Sequence, residues 1–445
     1  MIEQIVIPEK VQRILNTLTE HGYEAFAVGG CVRDSLLGRE PKDWDITTSA
    51  KPLQVKEIFS HTVDTGLAHG TVTVIMGREG FEVTTYRIDG EYTDSRHPKE
   101  VAFTPDLRED LMRRDFTINA MAYNPKAGLI DEFGGVQDLQ KGIIRCVGNS
   151  ENRFTEDALR MLRAVRFAAQ LDFEVARQTK DAILRLADNL QKISAERIAA
   201  ELVQLLISGH PQRIRDAYFL GITRVILPEF DRIMETGQTN PHHCFSVGEH
   251  TIHAMQHTGR DKVLRLAMLF HDMGKPDCKS TDSKGIDHFY GHPERGEVIA
   301  RQVMKRLKFD TDTLRHVCAL VRWHDDNPVL KEEKVRRTVR KIGIEQYPAL
   351  FMVKRADILA QSEYKRQEKL TYVDDYQKLY QDIIKHGDCL DVKQLAITGR
   401  DVMALGIPQG KQIGEVLNKL LELTLDDPAK NERLYLLEQV KTLKK

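Results

Sequence analysis

The sequence predicts an α+β fold: a head with a mixed sheet and helices, followed by an all-α body. Three observations favour this class. Helical spacing alternates with short β-branched runs up to about residue 150, and beyond Asn149 almost every segment has the period of an amphipathic helix. The length of 445 residues also exceeds a single hydrophobic core and favours about three domains.

The predicted head begins with a helix and continues with short strands. Residues 11–21 have helical spacing, and the apolar run EAFAV that follows ends in Gly29 and Gly30, as a strand does before a tight turn. The runs HGTVTVIM and FEVTTYRI are rich in β-branched residues and predict two further strands. A mixed sheet covered by helices follows from this order.

The predicted body is helical from FTEDALRMLRAVRFAAQL to the C-terminus, with loops such as TGQTNPHHCFS between helices. Its histidines are uneven, because ten of the sixteen lie between His242 and His324. We therefore predict four parts: a head over 1–150, a helical neck over 151–235, a histidine-rich domain over 236–370 and a helical tail over 371–445.

Composition excludes several classes of protein. A net charge of −1 provides no overall field for polyanions, so any nucleic acid must be bound by local basic clusters. Six cysteines without a CxxC pair indicate reduced thiols rather than a disulfide framework or a zinc ribbon. The N-terminus lacks the apolar region of a signal peptide, and no run approaches the roughly 18 apolar residues of a membrane span. These features predict a cytoplasmic protein.

The stretch VGGCVRDSLLGREPKDWDI predicts half of a nucleoside triphosphate site. In a strand, residues i and i+2 share a face, so Asp43 and Asp45 would present paired carboxylates. A divalent cation relieves their repulsion, and hard oxygen ligands suit Mg²⁺ bridging to phosphates. Gly29 and Gly30 let backbone N–H groups approach a phosphate, and Arg33 adds a bidentate cation. Either motif alone is common in loops, but their combination favours the functional interpretation.

Three motifs follow one another along the first part of the chain: GGCVRD…DWDI, RRDFTINAMAY and EDALRMLRAVRF. In this order they resemble the bacterial class II tRNA nucleotidyltransferase / poly(A) polymerase family, and the segment RIDGEYTDSRHPKEVAF between them resembles the family's flexible catalytic loop. The resemblance implies a nucleotidyltransferase head in which Asp43 and Asp45 bind Mg²⁺. The resemblance also implies that several residues contact the nucleotide. Besides Gly29, they are Gly30, Arg33, Arg114, Asp157, Arg160, Arg163 and Arg166. Glu82 is a weaker candidate for a third carboxylate, since a solvated strand face explains it equally well.

The third motif also has a chemical interpretation of its own. Asp157 and Arg160 are i,i+3 neighbours in a predicted helix, so both heads could meet one planar ligand. A carboxylate accepts from the exocyclic amine of cytosine or adenine, and a guanidinium donates to the ring acceptors beside it. Guanine and uracil oppose both partners, so the pair would accept C and A and reject G and U. An exposed ion pair is the plainer alternative, but Arg163 and Arg166 continue the same row of side chains.

The histidine-rich segment contains an adjacent His271–Asp272 pair, with His250 upstream and Asp357 downstream. This H…HD…D pattern resembles the HD family of metal-dependent phosphohydrolases, and His292 and His324 match the extra histidines of members with a fuller metal site. Mixed imidazole and carboxylate ligands suit Mn, Fe, Co, Ni or Mg better than a structural zinc. A histidine that only satisfies a core hydrogen bond is the alternative for each position. His242, His243, His253 and His257 are left outside the predicted site.

The family resemblance extends to the tail and implies a function. The segment LAITGRDVMALGIPQGKQIGEVLNKLLEL resembles the C-terminal region with which tRNA nucleotidyltransferases bind tRNA. The implied activity is addition of C, C and A to the tRNA 3′ end from CTP and ATP, without a nucleic-acid template, with release of pyrophosphate. An A-adding enzyme or poly(A) polymerase of the same family is one alternative. An HD phosphohydrolase whose head only binds RNA or nucleotide is another.

Overall fold

The computed structural model describes residues 5–90 and 101–443. The chain divides into two compact units, Met1–Pro228 and Glu229–Lys445. The segment predicted to be a catalytic loop lies partly outside the described residues, since 91–100 are not described. The finer division into four parts stays a prediction.

The described part of the first unit contains a mixed sheet with helices around it. Its strands are β1 (Ala25–Val28), β2 (Ile46–Thr48), β3 (Thr62–Gly66), β4 (Thr71–Met76), β5 (Glu79–Thr85), β6 (Arg87–Asp89), β7 (Val101–Phe103), β8 (Ala122–Asn124), β9 (Gly128–Ile130), β10 (Ile143–Ile144) and β11 (Glu174–Val175). Its helices are α1 (Glu9–Glu20), α2 (Gly30–Leu36), α3 (Pro52–Ile58), α4 (Leu107–Met112), α5 (Gly135–Lys141), α6 (Ser150–Glu156), α7 (Leu159–Leu171), α8 (Arg177–Leu186), α9 (Ala195–Leu206), α10 (Ile214–Phe219) and α11 (Ile222–Ile226).

The main sheet has seven strands in the described residues, in the order β3-β4-β5-β2-β1-β8-β9. Strands β2 and β5 pair in parallel and the other neighbours are antiparallel, so the predicted mixed sheet is confirmed. Successive side chains of a strand point to opposite sides, so neighbouring residues of each strand contribute to different faces of the sheet. One face is covered by α1 and α3, where Leu15, Ile46 and Val83 are buried together, and Phe26 and Leu111 belong to a second core cluster.

The second unit is helical apart from one short hairpin in its described residues. Its elements are α12 (Pro228–Met234), which crosses the unit boundary, α13 (Val247–Gln256), α14 (Lys262–Phe270), α15 (Lys275–Cys278), β12 (Ser280–Thr281), β13 (Asp287–His288), α16 (His292–Arg306), α17 (Thr311–Trp323), α18 (Glu332–Ile342), α19 (Tyr347–Ala360), α20 (Arg366–His386), α21 (Gly399–Ala404), α22 (Lys411–Asp426) and α23 (Arg433–Leu443). Helix α13 packs against α14 and α19, and α14 packs against α16 and α17. The predicted α+β head followed by an all-α body is therefore confirmed.

Two local predictions differ from the structure. Asp43 and Asp45 were expected in a strand, but they lie in the loop immediately before β2. Asp157 was expected inside a helix, but α6 ends at Glu156 and Asp157 has extended backbone angles, φ −142° and ψ 103°. In the described residues, no helix combines the length and the apolar character that a membrane crossing needs.

Candidate functional site

The glycine pair forms the turn from β1 into α2. Gly29 has φ 81° and ψ −126°, a backbone conformation that only glycine adopts readily, and it caps α2. A Cβ at this position would lie 3.1 Å from Nη1 of Arg114. Gly30 begins the helix, as expected for a glycine that lets the backbone approach a ligand. The turn therefore places glycine backbone, which has no side chain, next to the Arg114 guanidinium.

Arg33 of α2 is held firmly inside the head. Its Nη1 donates to Oδ1 of Asn119 at 2.7 Å and its Nε donates to Oδ1 of Asp34 at 2.8 Å. Its guanidinium also lies 5.2 Å from the centre of the Phe167 ring. The side chain is 9% exposed, so it offers a small, fixed part of its surface to a ligand.

Asp43 and Asp45 both reach the surface in the loop that precedes β2. The carbonyl of Asp45 accepts a hydrogen bond from the Val28 N–H at 3.0 Å, which fixes this residue beside the end of β1. Surrounding protein removes water from the Asp45 carboxylate and raises its pKa. The Arg114 guanidinium opposes this shift, and the charge of Asp43 adds to it. The two exposed residues offer hard carboxylate oxygens, a donor set that fits Mg²⁺.

Glu82 lies beside this loop through the register of the sheet. Strands β2 and β5 are parallel with Ile46 opposite Val83. Glu82 precedes Val83 in β5 and therefore points to the sheet face opposite that buried side chain, and Asp45 directly precedes Ile46 at the adjacent end of β2. Glu82 is exposed, and this placement supports it as a further carboxylate near the pair.

Asp110 organises the arginines next to the site, and the sequence interpretation did not include it. It is fully buried, and it accepts from Thr47 Oγ1 at 3.1 Å, Arg113 Nη2 at 2.8 Å and Arg114 Nη2 at 3.5 Å. Burial acts to raise the pKa of Asp110, but the two guanidiniums outweigh it and lower the pKa. Its positions i,i+3 and i,i+4 from the arginines were a readable signal for this contact.

The Asp157 carboxylate binds an arginine that the sequence interpretation missed. Arg197 of α9 donates from Nη2 to Oδ2 at 2.6 Å and from Nη1 to Oδ1 at 3.3 Å. The Leu159 N–H donates to Oδ1 at 3.0 Å at the start of α7. Arg160 instead binds Oε2 of Glu156 at 2.5 Å and the carbonyl oxygen of Arg113 at 3.1 Å. Asp157 and Arg160, the two side chains predicted to recognise the base, therefore do not bind each other: Asp157 binds Arg197, and Arg160 binds Glu156.

Arg163 and Arg166 of α7 share a second carboxylate from α9. Arg163 Nη1 lies 3.3 Å from Glu201 Oε1, and Arg166 Nε lies 2.6 Å from Glu201 Oε2. Arg163 also donates from Nη2 to Oδ2 of Asp115 at 2.7 Å. Burial lowers the pKa of Arg166 to about 10 despite Glu201. The sequence carried no signal for Glu201, and it gave Asp115 only a place in the motif RRDFTINAMAY without a partner, because both contacts join residues that are distant in sequence.

The second unit brings the six predicted metal ligands into one cluster, in which all are buried except the half-buried Asp357. They lie within α13, directly after α14, at the start of α16, directly after α17 and in the last part of α19: His250, His271, Asp272, His292, His324 and Asp357. Asp272 belongs to two groups. Its Oδ2 lies 3.2 Å from His271 Nε2, and its Oδ1 lies 3.5 Å from His292 Nε2.

Each group has the spacing of ligands around a common centre. In the first, His250 Nε2 lies 3.3 Å from His271 Nε2 and 2.8 Å from Asp357 Oδ1. In the second, His292 Nε2 lies 3.2 Å from His324 Nε2. The Nδ1 atoms of these four histidines face backbone carbonyls at 2.7 to 3.4 Å, which turns every Nε2 towards the cluster. Metal-binding histidines are oriented in this way, so the residues fit a divalent metal site.

An open cavity adjoins the cluster. It has a volume of about 450 Å³ and is lined in part by His243, His324, Asp357, Lys365 and Lys369. His242 and His243, which were left outside the predicted site, line this cavity. Lys275, also unpredicted, places Nζ 2.8 Å from Oδ2 of Asp272. The cavity is thus polar and of mixed charge, since the carboxylates of Asp325, Asp357 and Glu368 line it together with the lysines and histidines.

Comparison with known proteins places this geometry in a family. Residues 25–145 match a model described as the poly A polymerase head domain, 172–234 a probable RNA and SrmB-binding site of polymerase A, and 293–440 a tRNA nucleotidyltransferase domain 2. The CCA-adding enzyme of Pediococcus pentosaceus is 35% identical over 442 residues, covering 98% of both chains. The chain belongs to the CCA-adding enzyme family.

Other members of the family agree over the full length. The CCA-adding enzyme of Lactiplantibacillus plantarum is 34% identical over 431 residues, covering 96% of this chain and 94% of that protein. The crystal structure of the Bacillus stearothermophilus CCA-adding enzyme in complex with CTP has a TM-score of 0.76 and 28% identity, with 99% of each chain covered. The resemblance of the histidine cluster to HD phosphohydrolases stays a separate prediction.

Proposed function

We propose that this protein adds C, C and A to the 3′ end of tRNA, using CTP and ATP without a nucleic-acid template and releasing pyrophosphate. The observation that carries the proposal is the Asp43–Asp45 pair beside Gly29 and Arg114, in a chain that aligns end to end with CCA-adding enzymes. The chain is a nucleotidyltransferase, and members of its family use divalent metals such as Mg²⁺.

Different residues of the head would bind the metal and the triphosphate. Asp43 and Asp45 would hold Mg²⁺, which supplies activation of the tRNA 3′-hydroxyl and neutralises charge on the triphosphate. The Gly29 N–H already donates to the Met121 carbonyl at 3.1 Å, so Gly30 is the member of the glycine pair that would offer its backbone N–H to the phosphates. Arg33 and Arg114 would supply positive charge from fixed positions. Preorganised charges of this kind stabilise the transition state without reorganising when the reaction occurs.

Base choice is assigned to the pair at the start of α7. Asp157 would accept a hydrogen bond from the amine of cytosine or adenine, and Arg160 would donate to the adjacent ring acceptor. Arg163 and Arg166, further along α7, would also contact the nucleotide. The helical segments 151–235 and 371–445 are assigned to tRNA.

A direct experiment tests the activity. Transfer RNA lacking its 3′ end is incubated with CTP, with ATP or with both, and the products are sequenced. We expect C, C and A to be added in order when both nucleotides are present. Addition of A alone, with CTP unused, would favour an A-adding enzyme or poly(A) polymerase, and no addition under any condition would refute a transferase function.

We also infer a second activity, a metal-dependent phosphohydrolase of the HD type over residues 236–370. The two ligand groups that share Asp272 and the adjoining cavity support this inference. Imidazole and carboxylate ligands suit Ni²⁺, Co²⁺, Mn²⁺, Fe²⁺ or Mg²⁺, which would supply an activated water for ester hydrolysis. Hydrolysis of phosphate monoesters and diesters, measured with each metal added to chelator-treated protein, tests it. Equal rates with and without metal would contradict it.

A further inference from the structure

Helix α9 presents two charged side chains to the proposed base-reading residues. Arg197 and Glu201 are four residues apart, about one helical turn, so they share a face of α9. This helix packs against α7. Arg197 binds the carboxylate of Asp157, and Glu201 binds Arg163 and Arg166. A single face of α9 therefore holds several of the side chains assigned to the nucleotide.

The contacts of Asp157 leave one acceptor position for a base. A carboxylate has about four lone-pair sites on its two oxygens. In the described part of the chain, Oδ1 accepts from Leu159 N–H and from Arg197 Nη1, whereas Oδ2 accepts from Arg197 Nη2. The remaining site is on Oδ2, and the two-pronged contact with Arg197 prevents the carboxylate from turning.

We propose that Arg197 is a positioning residue for nucleotide selection, which fixes the Asp157 carboxylate so that it accepts from the amine of C or A. This inference rests on the proposed CCA-adding function. A carboxylate free to turn could also accept from the ring N–H of uracil or guanine, which lies beside the carbonyl of those bases. Fixing one acceptor at one point in space is what excludes these alternatives.

A purely structural ion pair would have a different consequence. The side chains of Arg197 and Asp157 are 25% and 16% exposed, so breaking the pair must also cost some stability. A structural role predicts a lower unfolding temperature and unchanged preference among nucleotides. A positioning role predicts a changed preference at temperatures where the protein is fully folded.

The test uses the full chain with Arg197→Met, which keeps much of the stem and removes the donors, and Arg197→Lys, which keeps the charge without the planar fork. Arg185→Met is the matched control, because Arg185 of α8 binds Glu151 of α6 at 2.6 Å at the surface of the same unit. For each protein, kcat and KM are measured with CTP, UTP, ATP and GTP on tRNA lacking its 3′ end and on tRNA ending in CC. Thermal unfolding is recorded beside each assay.

We expect both Arg197 variants to raise incorporation of UTP and GTP relative to CTP and ATP by about tenfold or more, the scale of one specific base-edge contact. Arg185→Met should keep the wild-type preference. In an Asp157→Ala background, Arg197→Met should add no further loss of preference, because the two residues act as one unit.

The outcomes separate the inference from the function beneath it. Wild-type protein that adds no nucleotide would refute the proposed function. Wild-type protein that selects C and A, together with Arg197 variants that are uniformly slower or less stable but equally selective, would refute only the positioning role. Full rescue of selectivity by Arg197→Lys would also overturn it, since charge alone would then suffice.

Discussion

Asp45 shows at the scale of one residue how the head holds the carboxylate that we propose as a metal ligand. Its side chain borders Asp43 and Arg114, and its carbonyl is tied to β1. The backbone is therefore fixed while the carboxylate still faces solvent. This combination suits a ligand that must be in place before substrate arrives.

We expect Asp43→Ala and Asp45→Ala each to lower nucleotide addition by at least about a hundredfold, the scale of losing one group that stabilises transition-state charge. Binding of tRNA should persist, because phosphate contacts elsewhere position the RNA. Glu40→Ala, an exposed carboxylate in the same loop, is the control and should retain activity. The measurement is single-turnover addition of CMP beside a tRNA-binding titration. Near wild-type rates in either aspartate variant would remove the pair from the mechanism.

Asp115 gives a prediction for stability and pH. Burial acts to raise the pKa of Asp115, but Arg163 and the hydrogen bonds from Asn119 and Arg163 lower it to about 2. The pKa of an unfolded Asp is about 3.9, so the lowered pKa contributes on the order of 2 kcal/mol to folding above about pH 4. This contribution is lost as pH falls from about 4 through 2.

We therefore expect Asp115→Asn to be less stable than wild type at pH 7, with a difference that shrinks towards pH 3. Denaturant unfolding at both pH values measures it. A difference of the same size at both pH values would contradict the role given to the Asp115 charge.

At the scale of elements, the turn from β1 into α2 places backbone and guanidinium together. Gly29→Ala should cost on the order of 1–3 kcal/mol, because its positive φ of 81° suits only glycine. The new Cβ would also displace Arg114, whose Nη1 lies 3.1 Å away, and we expect CTP use to fall about tenfold or more.

Gly22→Ala is the matched control for this turn. Gly22 also has a positive φ, 86°, but a Cβ there meets nothing within 4 Å. The control should therefore lose stability and keep kcat/KM for CTP when both are assayed well below the unfolding temperature. Equal losses of activity in the two variants would mean that backbone strain alone, and not the displacement of Arg114, explains the effect.

At the scale of the whole molecule, each compact unit contains one of the two candidate sites. The double variant His271→Ala/Asp272→Ala should release metal, because it removes the carboxylate shared by both ligand groups and one histidine. Nucleotide addition should remain, since the residues assigned to Mg²⁺, the triphosphate and the base all lie in the first unit. His253→Ala is the control, a histidine on the same helix as His250 that stacks on Phe245.

Elemental analysis and CCA-addition assays on the same preparations decide this prediction. Equal metal content in wild type and the double variant would mean that the cluster does not bind metal. Loss of CCA addition together with the metal would mean that the two units depend on each other in the reaction.

The sequence by itself determined the class of fold and the local motifs. Helix α1, strand β1 and the β-branched strands β4 and β5 follow from patterns of a few residues, because backbone geometry fixes which neighbours share a face. The turn at Gly29 was also readable from the glycine pair after an apolar run. The two carboxylates of Asp43 and Asp45 were visible in the sequence, but the strand expected to align them is a loop, and their role as metal ligands stays a prediction. The ligands of the histidine cluster came from the resemblance to a family rather than from spacing.

Tertiary structure decided which distant side chains meet. Arg197 contacts Asp157 from 40 residues away, and Glu201 joins Arg163 and Arg166 across α7 and α9. Packing between helices selects such partners, and a single sequence carries no period that reveals them. The break in the helix at Asp157 is likewise a feature that only the tertiary structure revealed, since the extended backbone there accompanies the contact of Asp157 with the distant Arg197. Short sequence spacings determine local backbone geometry, whereas the partners of charged side chains depend on how the whole unit packs.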